Sequence, residues 1–302
     1  MIHCAIVNCQ QQETSWEYRM SESRTPDRVD CDAAARLMEP LTDLVVRAGE
    51  AILAVNRSTM EVEGKSDGSP LTEADLAADG IIGDGLMRLA PTIPTLSEER
   101  ACTAGRPFRG SFFLIDPLDG TKEFVAGRDE FTVNLALVVD GSPLLGIIGA
   151  PALGLVWRGL VGRGAQQLRL GAAGRREATP IHTRAFPPAG EPWVAAVSRS
   201  HGDPRTEAFI ARRPGVVRQE LGSAVKFGRL AEGLVDIYPR LAPTSEWDVA
   251  AGCAVVAAAG GKVTDANGAA IRFGEGRDDC IVPAFIAWGD PSMAERGEAL
   301  LR

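Results

Sequence analysis

Positive charge is in short supply along this chain. Thirty-two Lys and Arg stand against 40 Asp and Glu over 302 residues, a formal net charge of -8. That deficit argues against a general surface for polymeric nucleic acid and leaves room only for a local basic pocket that holds a small anion. Long apolar runs are missing too. Each candidate is broken by Gly, Pro or a charge, so no stretch is long enough to cross a bilayer as a helix. The six cysteines, at 4, 9, 31, 102, 253 and 280, contain no C-x-x-C pair and are too sparse for a disulfide scaffold. Such usage fits a reducing cytosol, and the expected location is cytoplasmic. The first thirty residues carry no apolar segment of the secretory kind and are polar through Gln10–Glu13 and Ser21–Arg28. A disordered extension over 1–31 is expected, with Met20 as an alternative start. The remaining composition, 45% hydrophobic and 24% charged, is that of an ordinary globular protein with room for two domains or one large one.

Periodicity predicts how the rest is organised. Leu41, Leu44, Val45, Ala48 and Ile52 recur at helical spacing behind Pro40, which suits a helix start, and predict a helix from Pro40 to Val55. Thr72 and Asp75 form a capping-box pattern ahead of Leu76, Ile81, Ile82 and Leu86, predicting a second helix that ends near Pro91. Strands are expected at Thr92–Leu96 and Phe112–Ile115, then a hairpin of Phe131–Val139 and Leu144–Ile148 around Asp140-Gly141, then strands at Leu155–Val161 and Gln166–Leu170. From Trp193 strands and helices alternate: helices at Thr206–Arg212, Ala224–Leu234 and Val249–Ala259, strands ending at Val197 and over Val216–Leu221, Asp236–Tyr238 and Lys262–Thr264. The expected fold class is therefore α/β: an α+β first part with an antiparallel sheet over 32–188, then an α/β part over 189–302 with a parallel or mixed sheet. The Pro- and Gly-rich Phe186–Gly190 marks the boundary.

The most informative stretch is Asp116-Pro117-Leu118-Asp119-Gly120-Thr121-Lys122-Glu123-Phe124, directly after the apolar run Phe112–Ile115. Two carboxylates three residues apart across a Pro/Gly-punctuated turn can converge on a hard cation, which prefers oxygen ligands. The backbone N–H groups of Gly120 and Thr121 then face whatever the cation binds. Further acids fall at the ends of expected elements: Asp75 at a helix start, Glu98 and Glu99 after a strand, and Asp248 at the N-cap position before Val249. Taken alone, each has a structural explanation as a cap or a solvated charge. Together they supply what two-metal phosphoryl chemistry needs, carboxylates from distant segments shared between cations about 4 Å apart. A hydroxyl such as Thr121 beside a carboxylate such as Asp75 can orient an attacking water and accept its proton.

Four ordered segments carry a resemblance: Lys65 to Asp75, Ser97-Glu98-Glu99, Asp116 to Phe124, and Trp247 to Gly252. They look like the motifs of the inositol monophosphatase superfamily, a layered αβαβα fold of the sugar-phosphatase kind, and the match runs from about Asp32 to the end. Lys122-Glu123, Ser198-Arg199-Ser200-His201, Gly222 to Phe227 and Tyr238-Pro239-Arg240 resemble most the CysQ-type 3'(2'),5'-bisphosphate nucleotidases. Ser97 stands where inositol phosphatases commonly have Gly and is compatible with the nucleotidase branch. By this resemblance Glu98, Asp116, the carbonyl of Leu118, Asp119 and Asp248 hold two or three Mg2+ ions. Asp75 and Thr121, with Glu98, act on the water, and Gly120 and Thr121 hold the scissile phosphate. His201, Ser223, Lys226 and Arg240, with Asp248, contact the substrate.

The resemblance implies a lithium-sensitive hydrolase of sulfur metabolism that converts adenosine 3',5'-bisphosphate to AMP and phosphate, working as a monomer or homodimer on a small phosphorylated nucleotide. Inositol 1-phosphate or another sugar or histidinol phosphate is the alternative substrate, since the acidic motifs serve all of these. A non-catalytic anion-binding scaffold would be favoured by a missing carboxylate or a missing Thr121, and all are present.

Overall fold

A computed structural model describes residues 28–296 apart from 61, 65–69, 101–106, 189, 200–201, 213–214 and 277–279. The extension expected over 1–31 falls almost wholly outside the described residues, as do Lys65–Ser69 and His201.

The first part runs α1 (Cys31–Ala54), the strands β1 (Val62–Gly64) and β2 (Pro70–Thr72), α2 (Glu73–Leu89), β3 (Thr95–Ser97), β4 (Ser111–Asp119) and the short α3 (Thr121–Val125). A meander follows through β5 (Thr132–Val139), β6 (Ser142–Ala150), β7 (Leu155–Leu160), β8 (Gly164–Leu170) and β9 (Arg176–Ile181). The second part holds β10 (Val194–Ser198), α4 (Pro204–Ala211), β11 (Val217–Leu221), α5 (Val225–Ala231), β12 (Ile237–Arg240), β13 (Thr244–Ser245) and α6 (Glu246–Ala258). It closes with β14 (Lys262–Asp265), β15 (Ile281–Val282), β16 (Phe285–Trp288) and α7 (Pro291–Arg296).

Seven strands form one sheet in the order β3-β4-β5-β6-β7-β8-β9, antiparallel except for the β3–β4 pair. Side chains alternate along β4, and both faces are buried: Phe112 and Leu114 join one hydrophobic cluster, Phe113 and Ile115 the other. The Phe113 face is covered by α1 and α2 through Leu41, Val45, Ile82 and Leu86. The Phe112 face is covered by α5 and α6 through Phe227, Leu230, Ala251 and Val255. Small residues let α6 lie almost on the strands: a Cβ at Gly159 would sit 2.7 Å from that of Ala258, and one at Gly146 would collide with the carbonyl of Ala251.

The second sheet, β11-β10-β12-β16-β14, is mixed, with its first three strands parallel and its last three antiparallel. Its inner face, with Tyr238, Phe285 and Ala287, packs into the same cluster as α5 and α6. Its outer face carries Phe209 and Ile210 of α4 and Met293 and Ala294 of α7. The layers therefore read helices, sheet, helices, sheet, helices, the αβαβα order expected from the resemblance.

Three local expectations need correction. The first helix starts at Cys31, not Pro40, so Pro40 lies inside it. Asp30 caps its true start, accepting a 2.7 Å hydrogen bond from the Ala33 N–H, and partly buried Leu37 and Met38 pack its first turns where the apolar stripe is too thin to signal helix. Asp248 is not an N-cap. Ser245 caps α6, and Asp248 sits at the third helical position and closes a capping box with it. Finally, β1, β2, α3, β9, β13, β15, β16 and α7 were not expected from the sequence; Pro283 divides the apolar stretch that becomes β15 and β16.

Candidate active site

An acidic wall forms where β4 ends. Residues three apart on a regular strand point to opposite faces, which would separate Asp116 from Asp119. Here the ladder pairs Asp116 with Asn134 and Asp119 with Thr132, so three steps on β4 oppose two on β5. That bulge turns both carboxylates to one side. With Asp248 they offer oxygens that all lie within 4.8 Å of one another.

Each acid is held. Asp116 accepts the Leu118 N–H at 3.0 Å. Asp119 accepts from Thr132 Oγ1 at 3.3 Å and Asn134 Nδ2 at 3.4 Å. Asp248 accepts from Thr244 Oγ1 at 2.7 Å and the Ser245 N–H at 3.2 Å. Thr132, Asn134 and Thr244 were missed in the sequence, although two polar residues on one face of the apolar run Thr132–Val139, both fully buried, are a readable signal.

Burial and mutual repulsion shift the acids of the cluster upward. Burial, then the negative charges of Glu98, Asp119 and Asp248, push the Asp116 carboxyl well above its ordinary range. Burial and Asp248 raise Asp119 to about 7, partly offset by Lys226. Hard oxygen donors converging at this separation fit a hard divalent cation. Glu98, first residue of a single 3-10 turn after β3, lines the same cleft. Its segment is pinned to α2: Ser97 Oγ donates to Asp79 at 2.7 Å and Arg100 Nε to the same carboxylate at 2.6 Å.

Beside the acids sits the pair that sequence reasoning assigned to the water. Asp75, 1% exposed at the start of α2, accepts from the Thr72 N–H at 2.8 Å and the Thr72 hydroxyl at 2.6 Å on one oxygen. Its other oxygen is 3.1 Å from Thr121 Oγ1, which also lies 3.0 Å from the Leu118 carbonyl. Gly120 caps α3 at φ 88°, a left-handed conformation that suits glycine, and a Cβ there would collide with Ser223 Oγ.

Across the cleft stands a cationic wall from the second sheet and α5. Lys226, 4% exposed, donates to the carbonyls of Ser223 at 2.6 Å and Leu221 at 3.3 Å. Burial lowers its pKa to about 8 even though Asp119 pulls the other way. Its ammonium lies 5.3 Å from the ring centre of Tyr238. Arg240, on β12, lines the cleft with a buried Nε that has no hydrogen-bond acceptor among the described residues. The structure thus brings Asp75, Glu98, Asp116, Leu118, Asp119, Gly120, Thr121, Ser223, Lys226, Arg240 and Asp248 to one place, while His201 lies outside the described residues.

Carboxylates converging beside a hydroxyl–carboxylate pair, at the seam of an αβαβα sandwich, define a metal-dependent phosphomonoesterase class. A family model described as the inositol monophosphatase family matches residues 34–296, and the chain belongs to that family. Among its relatives, the 3'(2'),5'-bisphosphate nucleotidase CysQ of Shigella flexneri is 38% identical over 252 residues, 82% of this chain and 98% of its own. CysQ of Buchnera aphidicola is 33% identical, covering 79% of this chain and 88% of that one. The crystal structure of CysQ from Bacteroides thetaiotaomicron superposes with a TM-score of 0.68 at 32% identity, covering 84% of this chain and 97% of the other.

Proposed function

We propose that this phosphomonoesterase is a 3'(2'),5'-bisphosphate nucleotidase that hydrolyses adenosine 3',5'-bisphosphate to AMP and phosphate. The reading is carried by one observation: the acidic wall and the cationic wall of Lys226 and Arg240 line a single cleft. One phosphate of a doubly phosphorylated nucleotide then lies at the carboxylates and Gly120–Thr121. The other needs charge partners away from them, which Lys226 and Arg240 supply by charge-assisted hydrogen bonds. Ser223 completes that pocket in this reading, and His201, a substrate contact by the family resemblance, lies outside the described residues. The acids come from 32–188 and, through Asp248, from 189–302, which supplies the cations and so sets specificity.

Glu98, Asp116, the Leu118 carbonyl, Asp119 and Asp248 would hold Mg2+, as two or three ions, which would supply Lewis-acid stabilisation of the phosphoryl oxygens and a lowered water pKa. The chain's own task is to place the water and take its proton. Thr121 Oγ1, 3.1 Å from Asp75, donates to that carboxylate and accepts from the water in line with the scissile bond. Asp75, already holding two donors from Thr72 on its far oxygen, is fixed in orientation to receive the proton. The P–O bond to the 3'-oxygen breaks as the water oxygen bonds to phosphorus, and the 3'-oxygen takes a proton from solvent to leave as the hydroxyl of AMP. Two described cysteines, Cys31 and Cys253, are free thiols, in keeping with the cytoplasmic location of this reading.

The test is phosphate release by the purified protein with Mg2+, comparing adenosine 3',5'-bisphosphate with inositol 1-phosphate, with and without Li+, and with Asp116→Asn as control. Preference for the bisphosphate, lost in the variant, is expected. Preference for inositol 1-phosphate overturns the pocket assignment and keeps the metal chemistry.

A further inference from the structure

Arg199 belongs to the motif Ser198–His201, yet it does not line the cleft; its guanidinium turns back onto Glu130, in the loop before β5. Both terminal nitrogens engage that carboxylate, Nη1 on Oε2 and Nη2 on Oε1 at 3.2 Å, and Nη2 also donates to the Glu220 carbonyl at 2.9 Å. Glu130 Oε2 accepts in addition the Gly222 N–H at 2.8 Å. The backbone of Glu130 takes part as well: its carbonyl is 3.0 Å from Ser223 Oγ, which is also 2.9 Å from the carbonyl of Asp119.

One residue of the first part therefore grips the loop 220–223 of the second by side chain and main chain together. The fit is close. A Cβ at Gly222 would come within 2.5 Å of the Glu130 carbonyl oxygen, and Ser223 is held at φ 46°, in the left-handed region. This loop carries the carbonyls of Leu221 and Ser223 that fix the Lys226 ammonium.

We infer that the Glu130–Arg199 pair is a positioning clamp that sets the spacing between the acidic and cationic walls, and with it the preference for a substrate bearing two phosphates. The inference rests on the nucleotidase reading. Glu130 does not line the cleft; it acts on Lys226 through the 220–223 loop and by its nearby negative charge, and, through Ser223, on the turn at Asp119–Gly120. A bidentate Arg–carboxylate pair suits this task because it fixes orientation as well as distance. Loosening it costs the interaction that spans both walls more than chemistry confined to the acidic wall, since small displacements of a positioning group are amplified in rate.

The experiment compares wild type, Glu130→Gln, Arg199→Met and the double variant, with adenosine 3',5'-bisphosphate and with p-nitrophenyl phosphate, which has a single phosphate. Glu130→Gln keeps an acceptor for the Gly222 N–H and removes the ion pair, so the fold is spared. Expected is a fall of about 10-fold or more in kcat/KM for the bisphosphate, mainly through KM, against a fall of about 3-fold or less for the monoester. The double variant loses no more than the worse single one, the signature of coupled residues. Equal losses on both substrates, losses that multiply in the double variant, or an unchanged ratio would overturn the clamp. Failure of the wild type to hydrolyse the bisphosphate overturns instead the functional reading beneath it.

Discussion

The two walls of the cleft are built by opposite means. The acidic wall is mostly one short stretch, Asp116 to Thr121, bent by a bulge and buttressed by buried Thr132 and Asn134 on the neighbouring strand. The cationic wall takes Lys226 from α5 and Arg240 from β12 and holds the lysine by two main-chain carbonyls, beside the Tyr238 ring. Acids that crowd together must be placed tightly because they repel, and a single turn of chain does this most cheaply. Cations that reach for a distant phosphate need span, which only separate elements provide. The difference teaches that, on the nucleotidase reading, the metal-holding groups and the partners of the second phosphate rest on separate segments of chain.

The largest effect should come from breaking the acidic wall. Asp116→Asn is expected to lower kcat on every phosphoester by more than about 100-fold, beyond the usual cost of losing an outer-shell partner of a metal site; steady-state assays on two substrates check it. Loss on one substrate alone would contradict a shared acidic wall. Arg240→Ala should sharpen the contrast, lowering kcat/KM for the bisphosphate by about 10- to 100-fold, the worth of a charge-assisted hydrogen bond, and sparing a substrate with one phosphate. Asn134→Leu removes a donor from Asp119 and should weaken Mg2+ activation by about 10-fold, read as a shifted Mg2+ titration at nearly constant fold stability.

The seam that joins the walls can be strained without touching either. Gly252 packs against the Phe227 ring with no room for a Cβ, so Gly252→Ala is expected to cost about 1–3 kcal/mol in denaturant unfolding. Smallest is a pH effect on protein stripped of divalent cations. Burial and Asp248 raise Asp119 from the ordinary 3.8 to about 7 in the folded state. The unfolded chain therefore ionises first, and the contribution of this group to stability is full below about pH 4 and is lost as pH rises toward 7. A thermal midpoint lower at pH 7.5 than at pH 5, with Mg2+ recovering more at the higher pH, is the expected result. An equal response at both values would mean that neither burial nor Asp248 raises the Asp119 carboxyl.

Much of the site was legible because local chemistry leaves local marks. Thr72 and Asp75 announce a capping box, and the structure finds it, with the carboxylate turned also toward Thr121. The strand Phe112–Ile115 and the acids after it follow from hydrophobic patterning and Pro/Gly punctuation. Pro40 misled because proline is commonest in a first helical turn, whereas packing of Leu37 and Met38 carried α1 nine residues further toward the N-terminus. The central antiparallel strand β16 escaped notice because the apolar stretch around Pro283 shows no alternation when both faces are buried.

The sequence alone determined the chemistry available: which acids, which hydroxyl, which cations, and the order of motifs that identifies the family. These are matters of residue type and short spacing, and they survive without knowledge of the fold. Only the tertiary structure decided which of them meet. A bulge in β4, not the three-residue spacing, turns Asp116 and Asp119 to the same side, and a helix start more than a hundred residues away adds Asp248 to them. The grip of Glu130 on Arg199 and Gly222 is likewise invisible in the chain, because partners 69 and 92 residues apart leave no periodic trace until two sheets pack around one helical layer.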